Sequence, residues 1–390
     1  MNYLERAREL FDEAVEVRRH IHENPELGLD LPQTKAFVKE KLESFGYEVK
    51  ECGSGLTTTV GKGGKVILIR ADMDALPLEE KSGVDFASKI EGRAHACGHD
   101  LHTASLVMAA KMLKENEENL QGTVKFMFQP AEEVFLGSKD MIKAGILENP
   151  KVDVALGFHV ATGQFPANLV VYNSTSTMMY SSDNFRINIK GVGSHGAYPH
   201  TGIDPINIGT HIYQALQELI AREVDPAHAN VLTIGKFSAG HAPNVIPETA
   251  TLEGTIRCNT KESREILVRR LKEVVERVPK VFNGSAELEI LADVPPLINN
   301  KELVDELAGY MKDLNPDAIL HDGMSSSASE DFAVVGDYVP IAFFDLSAGF
   351  EDERGKYPVH NPKVQFNEEF LVYASAYFSE LATKWLENHK

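Results

Sequence analysis

Residues 65–77 read KVILIRADMDALP, and this stretch indicates the fold class. Its first six residues form an apolar run that is typical of a strand buried inside a sheet. Comparable runs and the helical patterns between them follow along the chain: runs at Thr123–Phe128, Val152–Phe158 and Val339–Phe344, and helices at Thr103–Leu113 and Ser138–Ala144. Strands that alternate with helices predict an α/β fold, in which helices cover a central sheet.

The segment 183–293 has a different pattern. Its predicted elements are strands at Asn184–Lys190, Val231–Phe237, Thr249–Asn259 and Ala286–Leu291, and helices at Pro205–Glu223 and Glu262–Val281. This βαββαβ order predicts a compact antiparallel sheet with two helices on one face. We therefore expect a smaller domain at 183–293, inserted into a larger one formed by 1–182 and 294–390, with a cleft between them.

Composition and charge exclude several classes of partner. The chain has 390 residues, 39 basic and 58 acidic, for a net charge of −19. Such a field repels phosphate backbones and anionic lipid, so we expect neither nucleic acid nor membrane as a partner. Residues 1–20 are too charged for a signal peptide and predict one amphipathic helix. With only three cysteines, a reducing compartment and a cytoplasmic location are expected.

Residues 95–103, HACGHDLHT, hold four or five potential metal ligands. Thiolate and imidazole are strong ligands for borderline metals such as zinc. Cys97 and His99 are separated by one glycine, so a tight turn would aim both side chains at one point. A predicted helix follows, and we expect its N-terminal field to lower the pKa of the Cys97 thiol. The density of ligands favours a metal site, although His95 and His102 are individually typical of core histidines.

Three further motifs add candidate ligands. QPAEE supplies Glu132 and Glu133 after one predicted strand, GFHV supplies His159 at the end of another, and HNP supplies His360. Adjacent carboxylates in a helical first turn diverge by about 100°, so one can bind metal while the other transfers protons. The candidates exceed what a single four-coordinate zinc with an open position needs. Two metals that share a ligand and a water fit better, and such pairs catalyse hydrolysis.

Together, these motifs resemble the amidohydrolase branch of the aminoacylase and carboxypeptidase dinuclear metallopeptidases. That branch includes hippurate hydrolases, auxin-conjugate hydrolases and bacterial N-acyl-amino-acid amidohydrolases. The resemblance rests on ten ordered motifs that run nearly end to end: RRHIHENPELG, ADMDALP, HACGHDLHT, QPAEE, GFHV, GVGSHGAYPH, DPI, NVIPETATLEGTIR, SEDFA and HNP. It implies a mixed-sheet metallopeptidase catalytic domain with an inserted α+β, ferredoxin-like lid and dimerisation domain.

The resemblance also implies roles for single residues. The implied ligands of two divalent metals are Cys97, which would bridge them, and His99, Glu133, His159 and His360. Glu132 is implied as the general base. More distant aminoacylases carry a His-x-Asp pair where this chain has Asp72 and Asp74, so Asp74 would orient its neighbours and His99 would replace the missing imidazole. Zinc is the expected metal because thiolate is a soft ligand, with cobalt, nickel and manganese as alternatives.

In the inserted domain, the resemblance implies a histidine that binds the reacting carbonyl oxygen, here His195. In dimeric relatives this histidine can come from the partner subunit, which implies a homodimer formed through the lid. Asn244 and Arg257 match residues that hold the carboxylate of the substrate. A guanidinium suits that role because it can bind a carboxylate through two hydrogen bonds. The alternative for Arg257 is an ordinary surface salt bridge.

We therefore expect a metal-dependent hydrolase that cleaves the amide bond of N-acyl amino acids or similar small conjugates, using a metal-activated water and Glu132 as base. A dipeptidase or carboxypeptidase with the same site is the alternative, and an N-acetyl-diaminopimelate-type deacetylase is a narrower version of the main expectation. Two other classes remain open: a hydrolase with Cys97 as nucleophile, and an inactive metal-binding module. Specificity for acyl group and amino acid stays undetermined, because pocket walls come from distant segments.

Overall fold

The computed structural model describes residues 1–390 and divides into two compact units. Unit 1 consists of Met1–Met178, Ile298–Met324 and Val334–Lys390, and unit 2 of Met179–Leu297 and Ser325–Ala333. Residues 325–333 belong to unit 2, whereas the sequence division leaves them in the outer domain. Their place follows from hydrogen bonds, because the backbone N–H of Tyr180 donates to the carbonyl oxygens of Ser326 (3.1 Å) and Ala328 (2.9 Å).

The regular elements have the following bounds. The helices are α1 Tyr3–Glu9, α2 Phe11–Glu23, α3 Pro32–Ser44, α4 His99–Glu115, α5 Gly137–Lys143, α6 Pro205–Arg222, α7 Lys261–Val281, α8 Lys301–Leu314 and α9 Phe370–Asn388. The strands are β1 Lys50–Cys52, β2 Gly55–Gly61, β3 Val66–Asp72, β4 Thr123–Gln129, β5 Val154–Ala161, β6 Leu169–Tyr172, β7 Thr177–Met179, β8 Ser182–Lys190, β9 Ser194–His195, β10 Asn230–Ala239, β11 Val245–Ile246, β12 Thr249–Cys258, β13 Ser285–Val294, β14 Leu297–Ile298, β15 Ile319–Asp322 and β16 Ile341–Ser347.

Unit 1 is built on an eight-stranded sheet with the order β1-β2-β4-β3-β5-β16-β6-β15. The central pairs β3/β4, β3/β5 and β5/β16 are parallel, and β1/β2, β2/β4 and β6/β16 are antiparallel. Every residue of β3 and β4 is buried, because helices such as α4 and α9 cover the sheet. The predicted α/β class with a mixed sheet is confirmed, and all four predicted runs form strands.

The N-terminal segment differs from its prediction. Residues 1–20 form two helices, α1 and α2, that meet at Leu10. The backbone N–H of Leu10 still donates to Arg6 and its carbonyl accepts from Ala14, at 3.1 and 2.9 Å. The chain therefore bends at Leu10 without losing its i to i−4 hydrogen bonds.

The sheet of unit 1 opens at the carboxyl ends of its central strands. Pairing between β3 and β5 stops at Arg70 and Gly157. Pairing of β3 with β4 continues to Asp72, and pairing of β5 with β16 continues to Ala161. Strands β3 and β5 thus diverge where the chain continues from β3 to β4 on one side and from β5 to β6 on the other. Open α/β sheets bind ligands at such a point.

Unit 2 contains a four-stranded antiparallel sheet of order β10-β12-β8-β13, with α6 and α7 packed against it and against each other. The main elements follow the expected βαββαβ order. Helix α6 begins where Asp204 accepts a hydrogen bond from the N–H of Ile206 (2.8 Å), and α7 begins where Thr260 accepts from Ser263 (3.2 Å). Side-chain caps of this kind satisfy the free N–H groups of a first turn.

None of the helices combines the length and the apolar character that a membrane span requires.

Candidate metal centre

Cys97 and His99 lie at the start of α4, on either side of a tight turn. Gly98 between them has φ +82°, in the left-handed region that favours glycine. A Cβ at this position would lie 2.6 Å from a methyl carbon of Val160, so a larger residue would have to displace this side chain. Both the backbone conformation and the lack of space therefore require glycine here.

The Cys97 thiol lies between two histidines that come from different segments. Its Sγ is 3.3 Å from Nε2 of His159 and 3.1 Å from Nε2 of His360. Two sets of ligand atoms, each within 4.8 Å of one another, share this sulfur: Cys97 with His99 and His159, and Cys97 with Glu133 and His360. The structure thus brings together all five residues that the sequence suggests as ligands, with Cys97 common to both sets.

In two of the imidazoles the backbone engages Nδ1, so Nε2 is the nitrogen on the side of the other candidate ligands. Nδ1 of His99 donates to the carbonyl oxygen of Asp74, and Nδ1 of His159 donates to that of Val160, both at 2.8 Å. A carbonyl oxygen can only accept, so the proton lies on Nδ1 in each ring. Metal-binding histidines are usually oriented by such a bond from the other ring nitrogen.

The Glu132–Glu133 pair lies in a turn after β4, and the prediction of a helical first turn is wrong because α5 begins only at Gly137. Ala131 has φ +56°, a costly conformation for a residue with a side chain. The carboxylate of Asp74 holds this turn: Oδ1 accepts from the N–H of Glu132 (3.0 Å) and Oδ2 from that of Glu133 (3.2 Å). Asp74 therefore orients both glutamates, as well as His99 through its carbonyl.

The electrostatics of the site contradict one prediction. We expected the helix N-terminus to lower the pKa of Cys97, but burial and the neighbouring carboxylates of Glu133, Glu132 and Asp72 raise that pKa well above its usual range. Burial alone would lower the pKa of His99, yet the carboxylates of Asp72 and Asp74 outweigh it and raise the pKa to about 10. The surrounding negative charge therefore favours a cation at this point.

The donor set and its unpartnered atoms fit bound metals. Nε2 of His99 and Oε1 of Glu133 are buried without a hydrogen-bond partner. Buried polar atoms are nearly always paired, so two such atoms beside a thiol fit a site built to bind a cation. One thiolate with two imidazoles, and the same thiolate with one carboxylate and one imidazole, are ligand sets that suit zinc and similar divalent ions.

A buried ion pair that the sequence motifs do not predict lies beneath the site. Arg70 is fully buried, and its Nη1 donates to Oδ2 of Asp72 at 2.8 Å. The same oxygen lies 3.5 Å from Nε2 of His99. An arginine inside an otherwise apolar strand was the available signal, because a buried guanidinium requires a carboxylate partner.

In unit 2, the structure brings His195 and Asn244 together but separates them from Arg257. The backbone N–H of Gly196 donates to the carbonyl oxygen of Asn244 at 2.8 Å, where β9 pairs with β11. Asn244 precedes β12, which begins at Thr249. Arg257 lies near the other end of this strand, eight residues after Thr249, which is a distance of about 27 Å along a strand. One carboxylate therefore cannot contact Asn244 and Arg257 of the same chain.

Arg257 does not form the surface salt bridge that was its alternative. Its Nη1 donates to Oγ of Ser329 at 2.5 Å, and its half-buried guanidinium has no carboxylate partner. Burial lowers its pKa from the ordinary value. The remaining N–H groups are thus available to an anion.

The fold and the shared-thiolate site define a metallohydrolase of the dinuclear type. The model for peptidase family M20/M25/M40 matches residues 68–384, and the chain belongs to this family. It is 35% identical over 384 residues to the N-acetyl-L-cysteine deacetylase of Bacillus subtilis, covering 96% of this chain and 88% of that protein. It is also 35% identical over 387 residues to thermostable carboxypeptidase 2 of Saccharolobus solfataricus, covering 97% of this chain and 96% of that protein.

A solved structure of the same family is similar to this chain over nearly its whole length. The dinuclear metal-binding peptidase of the M20 family from Bacillus subtilis has a TM-score of 0.80 and 31% identity, covering 97% of this chain and 99% of that chain. The predicted family and enzyme class are confirmed: the chain is a metal-dependent hydrolase.

Proposed function

We propose that the protein hydrolyses the amide bond of N-acyl amino acids or similar small conjugates that carry a free carboxylate. The observation that carries this proposal is the Cys97 thiol common to two sets of potential ligands, with the buried carboxylate of Glu132 next to Glu133 in one of them. A relative that removes an acetyl group from N-acetyl-L-cysteine supports the acylated substrate. A carboxypeptidase among the relatives supports the alternative, cleavage of peptides with the same site.

Two divalent metals would be held by the residues described above, with Cys97 shared between them. Bound there, they would supply Lewis acidity that lowers the pKa of water and polarises the amide carbonyl. The soft thiolate favours zinc, and cobalt, nickel or manganese are the alternatives. This choice of metal, like a cytoplasmic location, is part of the proposal.

Glu132 is proposed as the general base. Its carboxylate is buried, and its neighbour Glu133 contacts the His360 side of the site, with 3.5 Å between Oε1 and Nε2 of His360. Glu132 takes a proton from the attacking water and returns it to the amine nitrogen as the C–N bond breaks. A base in this role contributes about 10²- to 10⁴-fold to the rate.

Arg257 is proposed to bind the carboxylate of the substrate, since a desolvated guanidinium without an ion pair can form two charge-assisted hydrogen bonds. His195 is proposed to donate to the carbonyl oxygen as negative charge develops there. Its ring is exposed, and Nδ1 accepts from the N–H of Ala197 at 3.0 Å, which places the proton on Nε2.

We further propose a homodimer through unit 2, in which His195 and Asn244 serve the site of the partner subunit. The separation of these two residues from Arg257 supports this arrangement. Mixed dimers of His195→Ala and Glu132→Gln chains test it. If His195 acts on the partner's site, a 1:1 mixture that re-equilibrates as dimers regains about a quarter of wild-type activity. If it acts in its own chain, the mixture stays inactive.

The general proposal is tested by metal content and by amine release from N-acetyl, N-benzoyl and dipeptide substrates, before and after chelation. Two metals per chain and metal-restored hydrolysis of acylated substrates are expected. Glu132→Gln should keep both metals and lose at least about 100-fold in kcat, whereas the exposed control Glu118→Gln should match wild type. Preference for dipeptides would replace the proposal with the peptidase alternative, and hydrolysis without metal would overturn both.

A further inference from the structure

The imidazole of His102 is fully engaged although it lies beside the candidate ligands. His102 follows His99 by one turn of α4 and is buried. Its Nδ1 is 2.5 Å from Oδ1 of Asp72, and its Nε2 is 2.9 Å from the backbone nitrogen of Val160. The N–H of Val160 can only donate, so Nε2 carries the lone pair and Nδ1 the proton. His102 is therefore a neutral imidazole with no nitrogen left for a metal.

These two bonds cross the opening in the sheet of unit 1. Asp72 is the last residue of β3, and Val160 lies in β5 beyond the point where the two strands cease to pair. No β3–β5 backbone hydrogen bond holds the strands at this level. At this level the two strands are connected through the hydrogen bonds of the His102 ring instead.

Each bond also reaches a candidate ligand. On the β3 side, the carboxylate of Asp72 lies 3.5 Å from Nε2 of His99. On the β5 side, the same residue that donates to His102 accepts from Nδ1 of His159 through its carbonyl, at 2.8 Å. His102 is thus connected to the surroundings of both imidazoles in the set Cys97, His99 and His159.

We propose that His102 is a positioning residue that sets the separation of His99 and His159 across the opening, and thereby the affinity of one of the two metal positions. This inference rests on the dinuclear site of the proposed function. The other position, formed by Cys97, Glu133 and His360, has no ligand that is oriented through His102. Loss of either bond should therefore weaken one metal and leave the other nearly unchanged.

Two variants separate the two bonds. In His102→Asn, the side-chain amide can reproduce the donor at Nδ1 but cannot reach Val160. In His102→Gln, the longer side chain can reproduce the acceptor at Nε2 but gives up the bond to Asp72. Ser105→Ala is the matched control: Ser105 lies on α4 one turn further on, is buried, and its hydroxyl has no hydrogen-bond partner.

The experiment measures zinc content at a series of buffered free-zinc concentrations, with circular dichroism and thermal melting of the same samples. Wild type and Ser105→Ala should lose both zinc ions over the same range. Each His102 variant should keep one zinc at wild-type affinity and require about 10- to 100-fold more free zinc for the second, the range typical of losing a group that supports the ligands from outside the coordination sphere. Restoration of two zinc ions at high free zinc shows that the variant is folded.

Three results would overturn the inference: both variants binding zinc like wild type, both metals weakening equally, or a second zinc that cannot be restored at any concentration. Failure of the proposed function is a separate outcome, because it appears in the wild type. A wild-type chain that binds fewer than two zinc ions removes the dinuclear site itself.

Discussion

The carboxylate of Asp74 offers the most direct test of how the site is held. It is buried, 1% exposed, and accepts one N–H from Glu132 and one from Glu133. In Asp74→Asn the side chain keeps its shape, but one oxygen becomes an NH₂ group that faces an N–H. One bond to a charged acceptor is lost, the other becomes a neutral bond, and a buried donor is left unpaired. At about 1.5–3 kcal/mol for a bond to a charged group, the total cost is about 3 kcal/mol.

The expected results follow from this magnitude. Thermal unfolding should occur about 6–12 °C lower, since 1 kcal/mol shifts the Tm of units of this size by about 2–4 °C. Because both glutamates lose their orientation, kcat should fall about 100-fold, the penalty typical of a 1 Å misplacement. Asp140→Asn is the matched control: Oδ2 of Asp140 also accepts a backbone N–H, from Ser54 at 2.5 Å, away from the ligands. It should lower Tm and leave kcat unchanged.

An unchanged Tm for Asp74→Asn would refute the hydrogen-bond argument. A lower Tm with kcat within threefold of wild type would refute the positioning of the glutamates by Asp74.

Two further predictions concern pH and substrate binding. Burial alone would raise the pKa of Glu80, but hydrogen bonds from His22, Ser82 and the Ser88 N–H outweigh it and lower this pKa from 4.5 to about 2. The ionised Glu80 therefore stabilises the fold above pH 4.5, and this contribution is lost as the pH falls toward 2. Glu80→Gln should therefore cost about 2–3 kcal/mol in urea unfolding at pH 7, and the difference from wild type should shrink at pH 3.5; a constant difference would contradict the shift. Arg257→Lys should raise KM about 10-fold or more for N-acyl amino acids and leave KM unchanged for the corresponding amino-acid amides, which lack the carboxylate. An equal rise in KM for both kinds of substrate would show that Arg257 does not bind the carboxylate.

Most secondary structure could be predicted because hydrophobic periodicity is local. The apolar runs that precede Asp72 and Gln129 form β3 and β4, and the βαββαβ order of 183–293 is visible in the sequence. The bend at Leu10 was not predictable from the amphipathic pattern, because the hydrogen-bond pattern and the apolar stripe both continue across it.

Predictions that depend on the environment of a residue were less reliable. The pKa of Cys97 was expected to fall at a helix N-terminus, yet the carboxylates gathered around the thiol, together with its burial, raise it. The glutamate pair was expected in a helix, but Asp74, 58 residues earlier in the chain, holds it in a turn. Both errors arise because groups distant in sequence determine the local conformation and charge.

The sequence by itself determined the family and the chemical class, because ten ordered motifs resemble those of the dinuclear metallopeptidases, and it singled out five candidate ligands. Only the tertiary structure decided how these residues are supported: that Asp74 holds the turn of Glu132 and Glu133, that Arg70 and Asp72 form a buried pair beneath the site, and that His102 crosses the opening between β3 and β5. The reason is physical. Coordination and hydrogen bonding act over about 3 Å in space, and residues as far apart as Cys97 and His360 reach that distance only when the sheet has formed.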